Sequence, residues 1–283
     1  MTETDRRLLR SNGRVAHSSL RGAVEAERFA EGTARVVTRE TADIRRAPGG
    51  ARDRQMLFGE VFHVLEDVDG TAFGYAARDG YVGYVASDAL GTADGDATHV
   101  VAVRLSQALT QPDFKREGET LALSLGSRVR VTGDNGRWRE IAAPGGQRLF
   151  LPATHLRPLG TPETDPVEVA ARLIGTPYVW GGNSAMGIDC SGLAQAGFLA
   201  CGIPCPGDSD LQEARFGETL APGTAPERGD LLFWKGHVAL VADRDTILHA
   251  NAHHMAVAYE GLTEAIARIA AQDGGPVTRH ARR

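Results

Sequence analysis

The sequence predicts an α+β protein in which two small all-β units precede a larger domain whose helices come before its sheet. Three observations favour this class. Short apolar runs alternate with turn residues over the first part of the chain, and this pattern occurs twice. Helix signals then precede a last set of strand patterns. A chain of 283 residues that is 42% hydrophobic and 24% charged has room for two or three such cores.

The first domain, residues 1–95, is predicted to contain a polar lead-in and a small β barrel. Residues 1 to about 30 are dominated by arginine, glutamate and alanine, and we expect them to be partly helical. From Ala34 to Leu90, apolar runs are separated by turn pairs such as Asp69-Gly70 and Asp79-Gly80. This rhythm is typical of a small barrel of short strands.

The second domain, residues 96–160, repeats the pattern of the first. Gly59 and Gly126 are 67 residues apart and each precedes a valine-rich strand pattern, while Leu90 and Leu156 are 66 residues apart and each ends a similar seven-residue run. A nearly constant offset indicates duplication of one unit, and two copies are too few to form a solenoid. Both segments resemble bacterial SH3-like domains.

The third domain, residues 161–283, follows a proline- and glycine-rich linker and begins with helix signals. Asp165 is expected to cap a helix that ends at Gly175, and a second helix is expected from Cys190 to Gly202. Strands are predicted after these helices because the apolar runs become short and are separated by turn residues. The predicted strands are 231–234, 237–241 and 246–250.

Cys190 is the candidate nucleophile. A thiol attacks as the thiolate, and the first turn of a helix favours the thiolate through its unpaired N–H groups and its dipole. The glycine-rich loop before Cys190 would also admit a substrate backbone. Cys201 and Cys205 lack this setting, and three clustered cysteines do not suggest a disulfide framework. The alternative for any single cysteine is a small buried apolar residue.

His237 and His249 are the candidate base and its orienting partner. They are symmetric about residue 243, so an antiparallel hairpin centred there would place them directly opposite each other, with Cβ atoms about 4.5–5.5 Å apart. In this geometry one imidazole can hold the other in one tautomer. The alternative for a lone histidine in an apolar strand is a satisfied core residue.

Five short motifs make the third domain similar to the NlpC family of cell-wall cysteine peptidases. The resemblance implies a papain-like fold in which Cys190 is the nucleophile, His237 the general base, His249 the orienting residue and Tyr178 a neighbour of the nucleophile. The motifs are 177–182, 189–193, 229–231, 236–238 and 249–250.

Tandem SH3-like domains before such a domain resemble the dipeptidyl-peptidase VI branch of this family. That resemblance implies a γ-D-glutamyl-L-diamino acid endopeptidase that releases L-alanyl-D-glutamate from peptidoglycan stem peptides with a free N-terminal L-alanine. It also implies an amine pocket to which Glu60, Tyr81, Asp189 and Ser191 contribute. The alternative for Glu60 and Tyr81 is an exposed barrel carboxylate and a packing tyrosine.

Other function classes receive less support from the sequence. A net charge of −5 disfavours nucleic acid as a partner, and the sequence shows neither a membrane-spanning segment nor a signal peptide, so a cytoplasmic enzyme of peptide recycling is expected. No cofactor is expected, and no metal site is expected although His249, His253 and His254 lie close together in sequence. An acyltransferase and a non-catalytic wall-binding module remain as alternatives, and the oligomeric state is left open.

Overall fold

The computed structural model describes residues 5–92, 95–115, 118, 120–143, 146–272 and 274–283. The chain divides into two compact units, Met1–Leu159 and Gly160–Arg283. The first unit is built from strands, and the second combines helices with a sheet. The predicted α+β class is therefore confirmed. None of the helices in the described ranges has the length and apolar character that a bilayer crossing requires.

The N-terminal lead-in is not helical in the way that the sequence predicts. Its described part, from residue 5 onward, contains the strands β1 (Val15–His17) and β2 (Arg28–Ala30) and a single 3-10 turn, Ser18–Leu20. β1 and β2 pair in parallel. Val15 packs into an apolar cluster with barrel residues such as Phe73, so burial against the first barrel overrides the weak local helix preference. Residues 1–4 lie outside the described residues.

The first barrel is a seven-stranded sheet in the order β5-β4-β8-β7-β6-β3-β9. Its core includes Ile44, Met56 and Phe62, which are fully buried. The predicted turn at Asp69-Gly70 joins β6 to β7, and both residues have positive φ angles. The strands are β3 (Thr33–Val37), β4 (Thr41–Arg45), β5 (Arg52–Leu57), β6 (Val61–Val68), β7 (Thr71–Ala76), β8 (Val82–Ala86) and β9 (Leu90–Gly91).

The second barrel repeats the topology of the first. Its sheet order, β12-β11-β15-β14-β13-β10-β16, is the order of the first barrel with each strand number raised by seven. Gly59 and Gly126 both have positive φ, which explains why a glycine recurs at this point of each copy. The strands are β10 (His99–Val101), β11 (Leu105–Leu109), β12 (Thr120–Ser124), β13 (Arg128–Asn135), β14 (Trp138–Ala142), β15 (Arg148–Pro152) and β16 (Leu156–Pro158).

The second unit packs helices against an antiparallel sheet in the order β19-β24-β20-β21-β22-β23. The helix that begins at Cys190 packs on the two strands that carry His237 and His249. The helices are α1 (Pro166–Ala171), α2 (Cys190–Ala200), α3 (Ser209–Arg215) and α4 (Leu262–Ala271). The strands are β17 (Asn183–Ser184), β18 (Gly187–Ile188), β19 (Glu218–Thr219), β20 (Leu231–Trp234), β21 (His237–Asp243), β22 (Thr246–Asn251), β23 (Ala256–Gly261) and β24 (Arg279–Arg282).

Candidate active site

Cys190 is the first residue of α2, as the sequence predicts. Asp189 is the N-cap, and its Oδ1 accepts hydrogen bonds from the Gly192 amide at 2.6 Å and from the Ser191 hydroxyl at 2.9 Å. Its Oδ2 accepts a hydrogen bond from the Gly181 amide at 3.0 Å, which ties the preceding loop to the helix. Cys190 is 6% exposed. The thiol therefore lies at the positive end of an eleven-residue helix whose start is rigidly capped.

A buried polar network holds α2 in place. The Asn183 side chain donates to Gln195 Oε1 at 3.1 Å, and the side-chain Nε2 of Gln195 donates to the Cys205 carbonyl at 2.9 Å. The side-chain Nε2 of Gln212 donates to the Ser191 carbonyl at 2.9 Å. Buried amides without partners would destabilise the domain, so these bonds fix the position of the nucleophile's helix. No sequence pattern indicates Gln195 or Gln212, because their partners lie in other segments of the chain.

His237 and His249 are hydrogen-bonded, but the predicted register is wrong. β21 and β22 pair as Leu240 with Leu248 and Val241 with Ile247, with a bulge between Val241 and Asp243. Counted along this register, His249 lies opposite residue 239, two residues from His237. A shift of two preserves the face of the sheet, so the side chains still meet. His237 Nε2 and His249 Nδ1 are 2.9 Å apart.

The chain of contacts continues beyond the two histidines to residues that the sequence did not indicate. His249 Nε2 is 3.0 Å from Glu260 Oε2. The Arg268 guanidinium donates to both oxygens of Glu260, at 2.8 Å from Nε and 2.7 Å from Nη2. Glu260 lies near the end of β23 and Arg268 lies on α4, so two elements of the domain converge behind His249. Neither residue belongs to the motifs from which the site is predicted.

The electrostatic setting keeps both imidazoles neutral at pH 7. Burial is the largest cause that lowers the pKa of His237, and the charge of Arg268 adds to it. Burial also lowers the pKa of His249, although Glu260 opposes this shift. The hydrogen bond from Arg268 lowers the pKa of Glu260 to about 2, so its carboxylate is ionised. A neutral His237 is the form that can accept a proton from a thiol.

Tyr178 lies beside the candidate nucleophile. Its backbone amide donates to the Met255 carbonyl at 2.9 Å, and Tyr178 forms a parallel bridge with Ile188, which ends β18. Burial is the largest cause that raises the pKa of its phenol, and negative charge on Cys190 and Asp189 raises it further. The phenol therefore stays protonated and can donate a hydrogen bond in the site.

Glu60 and Tyr81 lie in the first unit, and both are buried. The Glu60 carboxylate accepts hydrogen bonds from the Leu57 amide at 2.9 Å and from Arg78 Nη1 at 2.9 and 3.0 Å. The expected alternative of an exposed carboxylate is wrong, because Glu60 is 5% exposed. Tyr81 is 2% exposed and belongs to the core of the first barrel, as its packing alternative describes. Their part in an amine pocket stays a prediction, as does that of Asp189 and Ser191.

Within the described residues, His249, His254 and Glu260 have ligand atoms within 4.8 Å of one another. His253 is not part of this group. His249 and Glu260 are hydrogen-bonded to each other, and Arg268 places a positive charge on the Glu260 carboxylate. A second cation at the same oxygen atoms would be repelled by that guanidinium.

Two family models match the chain. Residues 175–269 match the NlpC/P60 family, and residues 44–90 match the bacterial dipeptidyl-peptidase Sh3 domain. Among curated proteins, dipeptidyl-peptidase 6 of Lysinibacillus sphaericus is 28% identical over 70% of this chain and 79% of that protein. Gamma-D-glutamyl-L-lysine dipeptidyl-peptidase of Bacillus subtilis is 36% identical over 38% of each. A crystal structure of an NlpC/P60 family protein from Bacillus cereus covers 88% of this chain and 99% of its own, with a TM-score of 0.74 and 18% identity.

The chain therefore carries an NlpC/P60 domain and a bacterial dipeptidyl-peptidase SH3 domain, and the resemblance read from the motifs is confirmed. The likeness to the Bacillus cereus structure shows the shared fold. Several relatives of this chain are named peptidases or endopeptidases, and they support a cysteine peptidase that acts on peptidoglycan-derived peptides as its class.

Proposed function

We propose that this chain hydrolyses the bond between γ-D-glutamate and a diamino acid in free peptidoglycan stem peptides and releases L-alanyl-D-glutamate. The observation that carries the proposal is the pairing of a helix-capped Cys190 with the hydrogen-bonded histidines His237 and His249 in one domain. The names of two relatives, a dipeptidyl-peptidase 6 and a gamma-D-glutamyl-L-lysine dipeptidyl-peptidase, support the choice of bond.

In the first half of the reaction, His237 takes the thiol proton and the Cys190 sulfur attacks the γ-carbonyl carbon of D-glutamate. The oxyanion is stabilised by the backbone N–H of Cys190, at the end of α2 where the helix dipole favours negative charge. His237 then gives its proton to the leaving α-amine of the diamino acid. The C–N bond breaks, and a thioester remains on Cys190.

In the second half, His237 removes a proton from water, and the resulting hydroxide attacks the thioester carbonyl. The C–S bond breaks, the dipeptide acid leaves, and the proton returns to the thiol. His249 stays bound to His237 through both steps and keeps its ring oriented. The uncharged hydroxyl of Tyr178 donates a hydrogen bond to a carbonyl or carboxylate of the substrate.

The requirement for a free N-terminal amine is a separate part of the proposal. The resemblance to dipeptidyl-peptidase VI implies that Glu60 receives the ammonium, and the match of residues 44–90 to the bacterial dipeptidyl-peptidase Sh3 domain supports it. A site that has buried carboxylates favours an ammonium over a neutral amide. We therefore propose that stems still attached to glycan are not substrates, as expected of a recycling enzyme.

The experiment follows the products of L-alanyl-γ-D-glutamyl-diaminopimelate and of its lysine analogue by mass spectrometry. We expect L-alanyl-D-glutamate and the free diamino acid, with no product from Cys190→Ala. The matched control Cys201→Ala should keep full activity, since Cys201 is the C-cap at the opposite end of α2 from Cys190. Cleavage that survives in Cys190→Ala would contradict the nucleophile. Equal cleavage of the N-acetylated peptide would contradict the amine requirement alone.

A further inference from the structure

His249 is hydrogen-bonded to a second histidine on one side and to a carboxylate on the other. On one side its Nδ1 is 2.9 Å from His237 Nε2, and on the other its Nε2 is 3.0 Å from Glu260 Oε2. The ring is fully buried. A buried ring that has one hydrogen-bond partner at each nitrogen cannot replace these partners with water. Which nitrogen carries the proton therefore follows from whether each partner donates or accepts.

The tautomers can be assigned in order from Glu260. Its ionised carboxylate only accepts, so the proton of neutral His249 is on Nε2 and its Nδ1 is an acceptor. His237 Nε2 must then donate to that acceptor. The proton of neutral His237 is thus on Nε2, and its lone pair is on Nδ1. A general base needs that free lone pair to take the proton of a thiol.

Arg268 keeps Glu260 in the state that this order requires. Its two hydrogen bonds, at 2.7 and 2.8 Å, orient the carboxylate and favour its ionised form. Arg268 Nη1 also donates to Gln272 Oε1 at 3.0 Å, so the guanidinium is itself fixed on α4. Four charged or titratable groups act on His249, namely His237, His254, Glu260 and Arg268.

We propose that Glu260, clamped by Arg268, is a positioning residue that sets the tautomers of His249 and His237 and so directs the Nδ1 lone pair of His237 to the nucleophile. The catalytic purpose of these tautomers rests on the proposed function, but the tautomers themselves do not depend on any substrate. Glu260 acts through His249, to which it is hydrogen-bonded.

The test compares Glu260→Gln with the matched control Glu264→Gln, which changes an exposed glutamate near the start of α4, the helix that carries Arg268. A glutamine can donate as well as accept, so His249 is no longer restricted to one tautomer. Two-bond 1H–15N spectra of protein labelled with 15N-histidine report the protonated nitrogen of each ring. We expect Nε2–H on His237 and His249 in the native protein and in Glu264→Gln, and mixed tautomers in Glu260→Gln.

Activity supplies the second readout. We expect kcat to fall about 10- to 100-fold in Glu260→Gln with KM within about twofold, because a wrong tautomer at a triad histidine costs about 10⁴-fold and Glu260 is one ring further away. Glu260→Asp should restore part of the loss. The alkylation rate of Cys190, followed by peptide mapping, should fall in parallel and needs no substrate.

The outcomes separate this inference from the proposed function. Native spectra with Nδ1–H on either ring would overturn the inference even if Glu260→Gln fails to fold. Unchanged tautomers and unchanged Cys190 alkylation in a folded Glu260→Gln would overturn it as well. If the stem peptides are not cleaved but the tautomers and the alkylation rate respond as expected, the proposed function fails and the inference stands.

Discussion

Two carboxylate–arginine pairs, one in each unit, show how the same ion pair can serve different ends. Glu60 binds Arg78 in the first barrel, and Glu260 binds Arg268 in the second unit. All four side chains are largely buried. The difference is the third partner. Glu60 accepts a hydrogen bond from the backbone amide of Leu57, whereas Glu260 is hydrogen-bonded to the imidazole of His249.

A backbone amide and an imidazole respond differently to the carboxylate. The Leu57 amide has one fixed proton, so this hydrogen bond can only hold the turn before β6 in place. An imidazole can exchange which nitrogen carries its proton, so Glu260 can select one of two states and pass that choice to His237. Loss of Glu60 should therefore lower stability, and loss of Glu260 should lower the rate of catalysis.

The largest effect on catalysis is expected at His237, which is connected to Glu260 through His249. His237→Ala removes the proposed base, and we expect kcat/KM to fall at least about 10³-fold with little change in the free energy of unfolding. His249→Gln keeps a side chain that can hydrogen-bond and should retain a measurable rate, about 10- to 100-fold above His237→Ala. Steady-state rates with the free tripeptide at several pH values provide the measurement. Full activity in His237→Ala would refute the pairing.

The next effect tests the structural role of Glu60. Glu60→Gln leaves Arg78 buried without its main counter-ion, and we expect the free energy of unfolding to fall by about 3 kcal/mol in urea titrations. Asp79, whose Oδ2 is 3.4 Å from Arg78 Nε, should limit the loss. As a control, Glu60→Gln with Arg78→Met removes both charges and should recover part of the stability.

The kinetics of Glu60→Gln decide whether the comparison holds. If Glu60 is structural alone, kcat and KM of the folded variant stay within twofold of the native values. If it also receives the substrate ammonium, KM for the free tripeptide rises while the rate with the N-acetylated peptide does not change. A stability unchanged by Glu60→Gln would contradict the structural role.

The last effect concerns the dependence of stability on pH. The pKa values of His237 and His249 are lowered by burial from the ordinary 6.5, so the folded state favours the neutral rings. Below about pH 6.5 the unfolded chain binds protons that the folded chain does not, and stability falls as pH decreases. The slope approaches about 1.4 kcal/mol per pH unit for each histidine. Glu260, with its pKa of about 2, stays ionised throughout this range.

Urea unfolding at pH 7.5, 6.0 and 5.0 measures this dependence. His249→Gln removes the contribution of the His249 ring, so the stability of this variant should fall less steeply with decreasing pH. Glu60→Gln lies in the other unit and should shift the whole curve without changing its slope between pH 6.5 and 5.0. Equal slopes in native protein and in His249→Gln would contradict the low pKa of His249.

The sequence alone determined the features that depend on neighbours along the chain. The start of α2 at Cys190 follows from the Asp189 cap and the glycines around it, and the placement of His237 and His249 on one face follows from the two-residue period of a strand. The barrel repeat was visible because each copy needs a glycine with positive φ at the same point, Gly59 and Gly126.

The tertiary structure alone decided the features that depend on contacts between distant segments. The hairpin turns at residues 244–245 rather than at 243, and together with a one-residue bulge between Val241 and Asp243 this makes the pairing register differ by two residues from the predicted one. Glu260 and Arg268 look like ordinary charged residues of a strand end and a helix until β23 and α4 converge behind His249. The polar lead-in likewise folded as strands because Val15 finds a buried position against the barrel. The physical reason is common to these cases: caps and periodicity act within a few residues, whereas burial and charge pairing depend on which segments the fold brings together.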